Sequence, residues 1–180
     1  MKTYLAAVAT SLIFIAGTAN AISVNVQAGR HFTNTSAAIG DNSAGLSFNG
    51  NWARSDHNGQ LGSLGTAFSL PVGPLTASIG GKVLYLSPED GKNGEALAGG
   101  VGLSWAVMPS LSLYSEVYGA PSSLTSGMDS YTEATGGLRF TVFKPLTVDA
   151  GYRVMNMRGK EGHRDNKLAD GFYVGAGLNF

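Results

Sequence analysis

Apolar side chains recur at every second position along almost the whole chain after Ile22, and a period of two admits strands and little else. In ISVNVQAG, Ile22, Val24, Val26 and Ala28 alternate with Ser23, Asn25, Gln27 and Gly29. The same rhythm runs through Leu46, Phe48 and Trp52, through Leu138, Phe140 and Val142, and through Leu146, Val148, Ala150, Tyr152 and Val154. The last segment sets Phe172, Val174, Ala176, Leu178 and Phe180 on one face. Alternation sustained over about eight to ten residues suits a strand with hydrocarbon on one side and a polar lumen on the other.

Composition separates this reading from its rivals. Charged residues are 13% of the chain, about half the usual ~25%, and the 26 glycines are about twice the usual ~7% share. Disorder needs low hydrophobicity and high net charge, whereas this chain is 43% hydrophobic with a formal charge of zero. A soluble β-sandwich must wet its outer face, yet here the polar face is the small, glycine-rich one. The even charge balance argues against a nucleic-acid partner, which would want a basic face. Without cysteine there is no disulfide framework and no thiolate metal site. No cofactor is expected.

The N-terminus reads as an export signal. Lys2 precedes an apolar run from Leu5 to Gly17, and Ala19-Asn20-Ala21 offers a small-x-small cleavage site, so residues 1–21 are expected to be removed and 22–180 to form the domain. The run is short for a membrane anchor, which needs roughly 20 residues. No cysteine follows it, which argues against lipid modification.

Connections fall into two kinds. Three short ones combine proline, leucine and Ser/Thr: LPVGPLTAS (Leu70–Ser78), MPSLSLY (Met108–Tyr114) and FKPLTVD (Phe143–Asp149). Between them lie longer polar stretches at Ser87–Gly94, Pro121–Ser130 and Met157–Ala169. Outer-membrane barrels place short turns in the periplasm and longer loops outside. Counting back from Phe180 gives strands near 170–180, 146–157, 131–143, 111–120, 95–107, 75–86, 60–70 and 44–54, the last two joined by a short outer loop. Parity then allows Ile22–Ser43 to supply two strands or none. The alternation of 22–30 favours two, with a return near 32–39. The expectation is therefore an all-β, transmembrane, antiparallel up-and-down barrel of ten strands, with eight as the alternative.

On the inward phase lie Lys82, Glu116, Glu133, Arg139, Asp149 and Arg153, three basic and three acidic. Counted from the short turns, Glu116, Arg139 and Asp149 fall at similar heights on consecutive strands, which predicts Arg139 between two carboxylates. Glu133 and Arg153 lie higher and are expected to pair. Buried charges cost several kcal/mol unless paired, so a self-neutralising network in a narrow lumen is expected, with a selective pore as the functional alternative. In the last long loop, Arg158, Lys160, Arg164 and Lys167 beside Glu161 and Asp165 are candidate lipopolysaccharide contacts, since guanidinium forks suit phosphate. A solvated loop of mixed charge is the plainer reading. The Ser87–Gly94 stretch lacks calcium-loop spacing. His57 beside Asp56, His163 near Asp165, and His31 are the raw material for a hydrolase at the outer rim, because such sites are recognised by geometry. No nucleophile elbow or metal motif accompanies them.

The chain resembles the YfaZ family of Gram-negative outer-membrane proteins. The resemblance rests on FNGNWARSDHNG (Phe48–Gly59), LPVGPL (Leu70–Leu75), KVLYLSPEDG (Lys82–Gly91), GYRV (Gly151–Val154) and LADGFYVGAGLNF (Leu168–Phe180). It implies an outer-membrane barrel and no reaction; outer-membrane lipid and lipopolysaccharide are the expected partners of such a barrel. Phe172, Val174, Leu178 and Phe180 also resemble the terminal signal by which barrel-assembly machinery selects its substrates. A non-enzymatic barrel with a structural, interaction or limited-permeability role is expected. A diffusion channel for small polar solutes is the alternative, and a rim hydrolase the more distant one.

Overall fold

The alternating segments pair antiparallel with their chain neighbours. The computed structural model describes residues 21–40, 44–56, 59–87, 93–159 and 165–180; apart from Ala21, the expected export signal lies outside them. The strands are β1 (Ile22–Gly29), β2 (Phe32–Gly40), β3 (Gly45–Ser55), β4 (Gln60–Val72), β5 (Leu75–Ser87), β6 (Gly94–Met108) and β7 (Leu111–Ala120). Then come the two-residue β8 (Thr125–Ser126), β9 (Ser130–Phe143), β10 (Leu146–Arg158) and β11 (Asn166–Asn179). Each long strand pairs with its neighbours on both sides, and β1 pairs with β11 from Ser23–Asn179 to Gly29–Tyr173. The sheet is thus a closed meander of ten spanning strands, as the period-two pattern predicts. The short β8 borders Glu95 and Ala96 of β6 inside the predicted outer loop at Pro121–Ser130.

Turn chemistry fits the connections. Gly73 and Pro74 turn β4 into β5, with Gly73 at a φ of +63° that glycine adopts without strain. Pro109-Ser110 and Lys144-Pro145 make the other two short turns. The start of β1 and the end of β11 lie at this short-turn end, where the Phe180 N–H donates to the Ile22 carbonyl at 2.9 Å.

The boundaries differ from expectation mainly in β11, which begins at Asn166 instead of near 170. A register shift between Met155 and Asn156 accommodates the extension, and both Leu168 and Ala169 are buried there. A bulge of this kind places two residues opposite one.

The outward phase carries exposed apolar side chains around the barrel, among them Phe48, Trp52, Phe68, Ile79, Val101, Trp105, Val117, Phe140 and Phe172. In water this would be a defect; in hydrocarbon it is the required surface. Inside, glycine makes room for tyrosine. A Cβ on Gly100 would overlap the Tyr118 ring, and one on Gly151 would run into the Tyr173 hydroxyl and the Gly136 carbonyl.

Gly100→Val is therefore expected to destabilise the barrel by about 1–3 kcal/mol through overpacking. Gly99→Val, where nothing lies within 4 Å of an added Cβ, should be near neutral. Urea unfolding in detergent would check this, and equal losses for the two variants would count against the tyrosine–glycine packing.

Candidate functional site

The inward phase is not uniform along the barrel. Toward the long-loop end it is apolar: Leu61, Leu84, Leu86 and Met155 have no solvent exposure. Ala53, Ala96, Ala120, Met157, Leu168 and Tyr131 join them in one buried cluster. Toward the short-turn end the inward residues are Ser, Asn, Thr and Gly, and most keep partial exposure. They line a polar cavity of about 270 Å³. Because solvent reaches the lower inward positions and not the upper ones, this cavity communicates with the periplasmic end and stops beneath the apolar layer.

The charged residues sit around that boundary. Lys82, Glu116, Glu133, Arg139 and Arg153 all border the cavity. Lys82 on β5 reaches across the lumen to form an ion pair with Glu133 on β9. The same carboxylate oxygen of Glu133 accepts a hydrogen bond from the Tyr131 hydroxyl at 2.8 Å, and the Lys82 ammonium lies 4.0 Å from the Tyr118 ring centroid. Two sequence expectations are corrected here. Glu133 takes Lys82 as its ion-pair partner, while Arg153 donates through Nε to Thr135 at 2.9 Å and stacks near Tyr173.

Arg139 does not sit between two carboxylates either. Leu111 of β7 is in register with Phe140 of β9, so β9 runs three residues further toward the short turns. Counting heights from the turns ignores this stagger, which barrel closure demands. Glu116 therefore lies opposite Thr135, four residues above the level of Arg139. Asp149 is the register partner of Arg139, but its oxygens accept from Asn25 (2.6 Å), Gln27 (2.7 Å) and Tyr114 (3.1 Å). The Arg139 guanidinium stacks instead on the Tyr114 ring, 4.8 Å from its centroid, and among the described residues it has no ion pair.

At the outer rim, Arg158 ends β10 and is exposed, and Lys167 pairs with Asp170 at 3.2 Å. Lys160, Arg164, His57 and His163 lie outside the described residues. His31 and Asp56 approach to 4.0 Å with both side chains 63% exposed, and the Ser55 hydroxyl donates to the His31 backbone carbonyl rather than to its ring. Among the described residues no group of His, Cys, Asp and Glu has the composition of a metal site. Phe172, Val174, Leu178 and Phe180 all face outward on β11 and its end.

The apolar layer escaped the sequence reading, although its signal is present. Leu84 and Leu86 share the phase of Lys82, and Met155 and Met157 share the phase of Arg153. In VLYL both faces are apolar, which departs from the alternation at the upper end of β5.

Glu133→Leu is expected to cost about 3–5 kcal/mol by stranding Lys82, while adding Lys82→Met should recover most of the loss. Arg139→Ala should cost no more than about 1 kcal/mol, the scale of an exposed cation–ring contact. Urea titrations of the detergent-folded variants would show this; a loss for Arg139→Ala equal to that for Glu133→Leu would remove the Lys82–Glu133 pair from its central place.

Relatives bear on this geometry. A family model described as "YfaZ precursor" matches residues 1–180. The Escherichia coli (strain K12) protein described as "Outer membrane protein YfaZ" is 41% identical over 180 residues, covering all of both chains. Among solved structures, the outer membrane channel DcaP of Acinetobacter baumannii is similar at 12% identity and a TM-score of 0.48. That likeness covers 87% of this chain and 62% of that one. The N-terminal β-barrel domain of Pseudomonas aeruginosa OprF is similar at 12% identity and a TM-score of 0.37, covering 89% and 96%. With a family model matched from end to end and a full-length relative of this identity, the chain belongs to the YfaZ family and is an outer-membrane β-barrel protein.

Proposed function

We propose that this protein is a non-enzymatic barrel, closed to free diffusion at its outer end, that presents a polar vestibule to the periplasm. The observation that supports this reading most directly is the complete burial of Leu61, Leu84, Leu86 and Met155 across the upper lumen. A water-filled path would leave such side chains wet. The Lys82–Glu133 pair beneath them further narrows the passage. The lumen charge set then acts as internal bracing, and residues 22–180 are the exported domain once the leader at 1–21 is removed.

Two surfaces suit the surroundings of such a barrel. The outward Phe172, Val174, Leu178 and Phe180 form an apolar, aromatic-ended edge suited to the assembly machinery. Arg158 and Lys167, with Lys160 and Arg164, provide basic groups for lipopolysaccharide phosphates. The diffusion-channel reading draws on the wet lower half of the lumen, but it requires the apolar layer to move aside. The rim-hydrolase reading draws on the approach of His31 to Asp56, beside which the Ser55 hydroxyl donates to the His31 backbone carbonyl.

In a planar bilayer, the wild-type protein should give no steady openings. A combined Leu61→Ser, Leu84→Ser, Met155→Ser variant should conduct, provided a heat-dependent shift in gel mobility shows that it folds. Steady wild-type openings would overturn the closed-lumen reading.

A further inference from the structure

We infer that a notch in the outer rim above β1, lined by Arg30 and Lys167 and flanked by Arg54, seats the phosphorylated headgroup of lipopolysaccharide. The inference deepens the lipopolysaccharide contact proposed for the last loop, on which it rests for the partner, and gives that partner a site in the barrel wall. The notch follows from unequal strands. The last rung between β1 and β11 joins Gly29 to Tyr173, and residues 166–172 of β11 continue past it. Across the gap the wall resumes at β2 and β3, where Phe32 pairs with Ser55. Between them lies a recess of about 250 Å³, with residues 30–32 and Ser55 on one side and residues 167–170 on the other.

Three exposed cations border this gap: Arg30 in the β1–β2 turn, Arg54 on β3 and Lys167 on β11. The neighbouring carboxylates are engaged. Asp56 approaches His31 at 4.0 Å, and Asp170 accepts from Lys167 at 3.2 Å and from Tyr152 at 2.7 Å. Among the described residues neither arginine has an ion pair. Both side chains are exposed, so a ligand outside the barrel can reach them.

Position decides the ligand. Arg54 lies between buried Ala53 and Ser55 and shares the outward phase of Trp52, so it faces lipid and not the lumen. Trp52 is exposed just beneath it, its ring lying against Gly62. Tryptophan favours the membrane interface, and an arginine on the lipid face is costly at the midplane but nearly free at the interface. A cation facing sideways at that level meets lipid headgroups, whose acidic part is phosphate, and the guanidinium fork matches phosphate oxygens in pairs. Span then selects the lipid. From Lys167 on β11 to Arg54 on β3 there are three inter-strand spacings, about 14 Å at ~4.8 Å each. One phosphate cannot bridge that distance. Lipid A carries a phosphate at each end of its disaccharide, whereas a phospholipid headgroup offers one, which in phosphatidylethanolamine is offset by its own ammonium.

The test uses the exported chain carrying Trp105→Phe, which leaves Trp52 as its single tryptophan, in bilayers of dibrominated phosphatidylcholine, whose bromines quench indole. Diphosphoryl lipid A should displace the brominated lipid and restore Trp52 emission saturably. Dephosphorylated lipid A and phosphatidylglycerol should each need at least about tenfold more. Arg30→Gln with Arg54→Gln should shift the diphosphoryl titration at least about tenfold, while Lys144→Gln, in a turn at the other end, leaves it unchanged. Arg30→Gln alone carries the test should the double variant fail to show the gel shift of a folded barrel. With Trp52→Phe in place of Trp105→Phe, Trp105 at the short-turn end should show no saturable recovery. No saturable recovery at Trp52, equal recovery with dephosphorylated lipid A or at Trp105, or recovery indifferent to the arginine variants would each overturn the notch site. Phosphatidylglycerol acting as well as diphosphoryl lipid A would overturn lipopolysaccharide as its occupant. Lipid A retained on gel filtration separates this site from the last-loop contact. Retention that depends on Arg158, Lys160 and Arg164 with a silent Trp52 would overturn the notch and keep the loop contact; no retention would overturn both.

Discussion

Hydrocarbon offers no partner to a backbone N–H or C=O, and each one left open there costs several kcal/mol. A sheet can cross it only by having no edge. The ladder between β1 and β11 supplies that closure, from Ser23–Asn179 to Gly29–Tyr173. Other features follow from it. The start of β1 meets the end of β11, the number of spanning strands is even, and the first strand cannot be dispensed with even though it has only 8 residues. Closure also fixes the stagger between strands, which decides which inward side chains share a level.

Closing ten strands leaves more interior than eight would, and the chain fills it in two ways. Near the outer loops it uses Leu, Met, Ala and Tyr side chains buried in one apolar cluster. Near the periplasm it uses short polar side chains that leave space between them. Between the two regimes, Tyr118 and Tyr173 lie against glycines and bring aromatic faces to Lys82 and Arg153. Glycine abundance is thus a packing device, since the large rings require neighbouring strands without side chains.

The architecture was legible because hydrocarbon imposes a rule on every outward residue, and a rule applied at each second position is visible in one sequence. Val24, Val26, Phe140 and Phe172 obey it without knowledge of their neighbours. The inward phase obeys no such uniform rule. Glu116, Arg139 and Asp149 looked level because each lies a few residues from a turn, but the register of β7 against β9 shifts Glu116 upward. That register belongs to closure, a property of the whole sheet. The Lys82–Glu133 pair was unreadable for the same reason, since β5 and β9 are not adjacent in the sheet and meet only across the lumen. The apolar layer was readable in principle, from Leu84 and Leu86 on the phase of Lys82 and from Met157 on the phase of Arg153.

The layer and the ion pair depend on one another. Coulomb attraction strengthens as water is excluded, so the apolar residues above Lys82 and Glu133 make that pair effective. The gain holds only while both charges keep their partners, because an uncompensated charge in the same place is strongly destabilising. Tyr131 serves both sides of this arrangement: its ring is buried in the apolar cluster while its hydroxyl donates to Glu133. Wetting the upper lumen would therefore expose the pair and loosen the tyrosine together, so the apolar layer is held by electrostatics and packing acting on the same few residues.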